Sequence, residues 1–85
     1  MSTRKNIHLF VDLVLQNQMC EIACSMDLDL LQVISHMTLL AQFNDCRFDL
    51  KRPYIIEEGS QTVLDLSKTI RQLNLKDGMV LRMYL

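Results

Sequence analysis

Apolar residues recur at every second position near both ends of the chain and at every third or fourth in its middle, so strands must flank a helix. From Asn6 to Leu15, Ile7, Leu9, Val11 and Leu13 fall on one face and His8, Phe10 and Asp12 on the other, the period of a half-buried strand. Met79 to Leu85 repeats the pattern, with Met79, Leu81, Met83 and Leu85 against Val80, Arg82 and Tyr84. Between them, Leu30, Val33, Ile34, Met37, Leu40 and Ala41 follow helical spacing and make one broad apolar face. Gln32, Ser35, His36 and Thr38 turn away from it. This predicts a long helix, started by Asp27 or Asp29, whose carboxylate accepts from free backbone N–H groups. Asn44-Asp45 ends it.

The remaining segments fit around these three. Gln16-Asn17-Gln18 interrupts the first alternation, Asn17 suits a positive φ, and Met19 to Cys24 resumes as the second arm of a hairpin. Pro53 lacks an N–H and precedes the short apolar run Tyr54-Ile55-Ile56, as at a strand start. Glu57 to Ser60 reads as a turn, Thr62–Leu64 as a brief strand, Ser67–Leu75 as a short helical turn capped by Ser67, and Asp77-Gly78 as a tight turn. One apolar helix face beside a sheet with one apolar face gives a two-layer α+β domain, expected over residues 5–85. Its core must be mostly aliphatic, because 49% of the 85 residues are hydrophobic and none is Trp.

Charge narrows the function classes. The formal net charge is −1, with −2 over Met1–Gln42 and +1 over Phe43–Leu85. Neither nucleic acid nor a membrane surface is drawn by so weak a field. Apolar runs fall far short of the roughly 18 residues that cross a bilayer, and no signal-peptide pattern opens the chain. Three cysteines, Cys20, Cys24 and Cys46, cannot all pair, which fits reduced thiols and a cytoplasmic location.

Chemistry-bearing constellations are missing. Cys20 and Cys24, four apart on a strand, lie about 13 Å from each other, too far to share a tetrahedral zinc. His8 and His36 are isolated, and the two glycines make no phosphate cradle. No metal or cofactor is expected. An enzyme reading requires Cys46 to meet one of the histidines in space, and a small filled core leaves little surface for a deep pocket. Met37 and Met83 belong to the core faces, while Met26 and Met79 flank turns.

The segment from Ser67 to Leu85, with Lys68-Thr69-Ile70, Leu73, Leu75, the Asp77-Gly78 turn and a closing strand, resembles the end of ubiquitin-like folds. The hairpin and helix before it keep the same order. Within that superfamily the chain is similar to the YukD/EsaB proteins of bacterial type VII secretion systems, which share Leu64-Asp65 ahead of Lys68-Thr69-Ile70 and the late Asp-Gly. Met79 stands where that family often has Asp. The resemblance implies a β-grasp fold, with a mixed sheet of four to five strands packed on one long helix. It also implies a non-catalytic cytosolic accessory that contacts membrane-bound secretion components. The alternatives are a ubiquitin-like scaffold or adaptor of another pathway, or a domain excised from a larger membrane secretion protein. Conjugation is not expected, since Met83-Tyr84-Leu85 replaces the flexible Gly-Gly tail that an activating enzyme needs.

Partner binding is expected on the solvent face of the sheet. The β-grasp topology sets the first and last strands side by side and parallel, which groups His8, Phe10, Arg82 and Tyr84. Tyr54 or Ile55 extends the patch from the third strand. Aromatic residues and Arg dominate binding energy at protein interfaces. On a bare sheet, Phe10 and Tyr84 would instead only shield each other as a cross-strand pair.

Overall fold

The computed structural model describes residues 6–85. The expected domain start at residue 5, and Arg4 and Lys5, lie outside the described residues. The elements in chain order are β1 (Asn6–Leu13), β2 (Gln18–Ser25), α1 (Leu30–Thr38), β3 (Tyr54–Glu57), β4 (Thr62–Val63) and β5 (Val80–Tyr84). Single 3-10 turns occupy Val14–Gln16 and Ala41–Phe43.

The sheet has the order β2-β1-β5-β3-β4. It is mixed, because β1 and β5 are parallel while the other pairs are antiparallel. Alternation settles which face is dry. Leu9, Val11, Leu13, Ile55, Leu81 and Met83 are fully buried on the α1 side. A shift of one residue in any of these strands would turn the whole set to water. Asn17 closes the β1–β2 hairpin at φ 52°, a region its short polar side chain tolerates.

Helix α1 begins as its sequence demands. Asp29 Oδ1 accepts from Gln32 N–H at 2.8 Å, and Gln32 Oε1 accepts from Asp29 N–H at 3.0 Å, a reciprocal cap that satisfies two otherwise free donors. Two more helix N–H groups, those of Leu30 and Leu31, donate to the carbonyls of Lys68 and Leu66.

Its end differs from the expectation. The helix stops at Thr38, so it is not long, and Leu40 and Ala41 are exposed. Two local causes act together. Thr38 Oγ1 donates to the Ser35 carbonyl at 2.8 Å, competing with the backbone ladder. Phe43 also needs the core: in a continued helix it would sit about 240° round from Met37 and face water. The 3-10 turn after Leu40 swings Phe43 inward, where it is 2% exposed and meets Phe48 edge-on at 6.2 Å.

The Ser67–Leu75 stretch holds a single helical turn, with Leu73 N–H donating to the Thr69 carbonyl at 3.0 Å. Thr69, not Ser67, is the cap: its hydroxyl accepts from Gln72 N–H at 3.0 Å, and Gln72 Oε1 accepts from Thr69 N–H at 2.9 Å. Ser67 instead donates through N–H and hydroxyl to Asp65. Gly78 adopts φ 82° in the turn before β5.

Candidate functional site: the open face of the sheet

All five expected binding residues, His8, Phe10, Tyr54, Arg82 and Tyr84, stand on the face away from α1. Ile55 does not join them; it is fully buried and belongs to the core. Strand pairing sets the distances among them. Phe10 lies opposite Val80 and Asp12 opposite Arg82, so Phe10 and Tyr84 are separated by four residues along the strand, about 13 Å. They do not make the cross-strand aromatic pair.

That pair is Tyr54–Tyr84. The two residues face each other across β3 and β5, with ring centroids 4.4 Å apart and planes within 11°. Next to them one row crosses the whole sheet: Met19, Asp12, Arg82, Ile56 and Val63 are successive register partners. A second row holds Glu21, Phe10 and Val80. Met19, Ile56, Val63 and Val80 were not among the expected site residues, and Met19 and Val63 are 58% and 63% exposed. Ile56 was readable in principle, because it shares the parity of Tyr54. Val63 was not, since only the β3–β4 register puts it there.

The polar residues of the face are partly committed. His8 Nδ1 is 3.0 Å from Glu21 Oε1, and its backbone N–H donates to Asp77 at 2.7 Å. Arg82 Nε approaches Asp12 Oδ2 to 3.9 Å, yet it is buried without a hydrogen-bond partner. Charge holds the guanidinium near Asp12 while leaving a donor unused.

The thiols are arranged for packing. Cys20 and Cys24 lie half-buried against the core, and burial pushes both thiols up from their ordinary range, which disfavours the nucleophilic thiolate. The Cys46 thiol donates to Gln18 Oε1 at 3.5 Å rather than meeting a histidine. Cys24 and His36 do line one groove of about 270 Å³ between β2 and α1. Among the described residues, no three His, Cys, Asp or Glu side chains come together as a metal site. No helix of the described residues is long and apolar enough to cross a membrane.

One helix against a five-stranded mixed sheet, with the first and last strands parallel at its centre, is the ubiquitin-like β-grasp fold. The chain is similar to the solution structure of the UBL domain of yeast Ddi1, with a TM-score of 0.63 and 21% identity over all of this chain and 95% of that one. No family model matches the sequence, and no curated protein matches it.

Proposed function

We propose that the open face of the sheet docks another protein, and that the chain is a non-catalytic, cytoplasmic accessory or regulatory component of a bacterial type VII secretion system. The observation that carries the docking reading is the face itself. Tyr54 is 44% and Phe10 39% exposed, and Tyr84, Ile56 and Val63 continue an apolar surface around Arg82. Apolar patches rimmed by charge mark interaction surfaces, and a stacked tyrosine pair presents contact area that is already ordered. The Arg82 side chain, 40% exposed, brings a cationic donor group to this face that suits a partner carboxylate or main-chain carbonyl. The secretion assignment is supported by the YukD/EsaB resemblance of the Leu64–Gly78 segment.

A second reading is a ubiquitin-like scaffold or adaptor module of another pathway. The similarity to a structure that is one domain of a yeast protein favours it.

Capture by the tagged chain of the membrane ATPase of a type VII system tests both parts. The wild-type chain is expected to retain it, and Tyr54→Ser with Tyr84→Ser is expected to lose about 2–4 kcal/mol of binding, at least thirty-fold. Gln32→Ala with Ser35→Ala, on the exposed side of α1, should bind as wild type. Normal capture by the tyrosine double variant would move the interface off the sheet. Capture of unrelated proteins through the same two tyrosines, with no secretion component retained, would leave docking intact and remove the type VII assignment.

A further inference from the structure

Strand β2 is an edge of the sheet, and its hydrogen-bonding capacity follows from the bonds of its neighbour. On β1, the His8 carbonyl accepts from Gly78 N–H at 2.8 Å and the Phe10 N–H donates to the Met79 carbonyl at 3.0 Å. Even-numbered residues of β1 therefore bond toward β5, and odd-numbered ones toward β2. The β2 partners of those odd residues are Gln18, Cys20, Ile22 and Cys24. The main-chain groups of Met19, Glu21 and Ala23 are left directed at the open edge, and among the described residues no turn or loop bonds to them.

Edges of this kind are normally guarded by Lys, Pro or a bulge. Residues 18–25 contain neither Lys nor Pro, and Glu21 is their one charge. Beside the edge runs the α1–β2 groove, lined by Ile22, Cys24, Leu28, Val33, Met37 and Leu40. The core-side row of β2 reads Cys20, Ile22, Cys24, the same in both directions about Ile22.

We infer that β2 pairs antiparallel with β2 of a second copy, about a two-fold axis through Ile22. Four registers that pair five or more residues use the outward groups, and the one centred on Ala23 pairs only the Glu21–Ser25 segment. Centring on Glu21 would set Glu21 against its own copy, a like-charge pair that destabilises. Centring on Cys20 leaves only the Gln18–Ile22 segment paired. Centring on Ile22 pairs Met19 through Ser25, sets Glu21 against the partner's Ala23, and packs Ile22 on the partner's Ile22. The palindromic row then lies between the two helices, and each groove receives apolar side chains from the other copy. The two-fold is perpendicular to the sheet, so both open faces look to the same side and stay uncovered.

This register makes a second juxtaposition. Cys20 faces the partner's Cys24 at a non-hydrogen-bonded position, where Cα atoms are about 4.5 Å apart, within the range a disulfide spans. Inside one copy the same two residues are about 13 Å apart and cannot bond.

Cross-linking with diamide in the Cys46→Ser background tests the register. Each bond forms as two thiols give two protons and two electrons to the reagent, whose N=N bond is reduced to a hydrazine. Cys20→Ser alone and Cys24→Ser alone should remain monomeric on a non-reducing gel, and an equimolar mixture of the two should give a covalent dimer. Under reducing conditions, sedimentation equilibrium should return twice the chain mass of 9.9 kDa. Ala23→Glu, which faces the partner's Glu21, should weaken the dimer at least tenfold, and Ala23→Lys should strengthen it. A chain that stays monomeric at millimolar concentration overturns the proposal and leaves the edge to a strand of some other protein. Cross-linking of either single variant by itself as readily as the mixture overturns the register.

Discussion

Glu57 ends β3 with its carboxylate folded back over the following turn. Its side-chain oxygens accept from the N–H groups of Gly59 and Ser60, and these donors, Gly59 first, hold its carboxyl below the ordinary value of 4.5. A Cβ at Gly59 would stand 3.1 Å from the same carboxylate, so glycine is what allows so close an approach. A carboxyl whose pKa falls on folding stabilises fully above its unfolded value, and that contribution is lost as pH drops through the folded one. Glu57→Gln should therefore have a lower urea midpoint than wild type at pH 7, with the gap narrowing at pH 3. Equal gaps at both values would show that the anion contributes nothing. Asp65, lowered by the Ser67 hydroxyl and N–H, acts in the same direction and should leave the variant some acid sensitivity. The turn was legible in the sequence from Glu57 to Ser60; the capping role was not, because it depends on a carboxylate turning back within its own turn.

Periodicity served the strands better than the helix. Residues of β1 and β5 alternate without exception, so their facing could be read directly, and with it the side of the sheet on which His8, Phe10, Arg82 and Tyr84 stand. In α1 the apolar spacing runs past the true end, since Leu40 and Ala41 keep the period while lying in water. Phe43 breaks the period and lies in the core. A 3.6-residue template rewards the first two and misplaces the third. Phe43→Ala should cost about 3–5 kcal/mol, as truncation of a buried aromatic does, and Ala41→Ser should stay within about 0.5 kcal/mol, as surface changes do. Chemical denaturation of both variants checks the assignment, and a large loss at Ala41 would mean that the helix continues. The same distinction explains the site. Parity identifies a face, but register decides neighbours, and register made Tyr54 rather than Phe10 the companion of Tyr84.

At the scale of the molecule, the open face is built from parts far apart in sequence, and so is the sheet beneath it. His8 and Asp77 are 69 positions apart yet hydrogen-bonded, because β5 lies between β1 and β3. Removing β5 therefore takes the middle out of the sheet. What remains of the sheet is a β2–β1 hairpin and a β3–β4 pair, and isolated two-stranded pairs are marginal in water. Deletion of residues 80–85 should abolish the cooperative urea transition altogether rather than lower its midpoint. A sigmoidal transition in the truncated chain would show that β5 only decorates a structure that stands without it. On a ribosome the same topology sets an order of events. The apolar faces of β1 and β2 emerge early and must wait through more than half the chain for the strand that completes them. Closing that long loop comes before β5 can pair with β1 and β3. The nascent chain is thus most exposed to aggregation and to proteases just before Val80 to Tyr84 clear the exit tunnel, and it gains its stability in one step when they do.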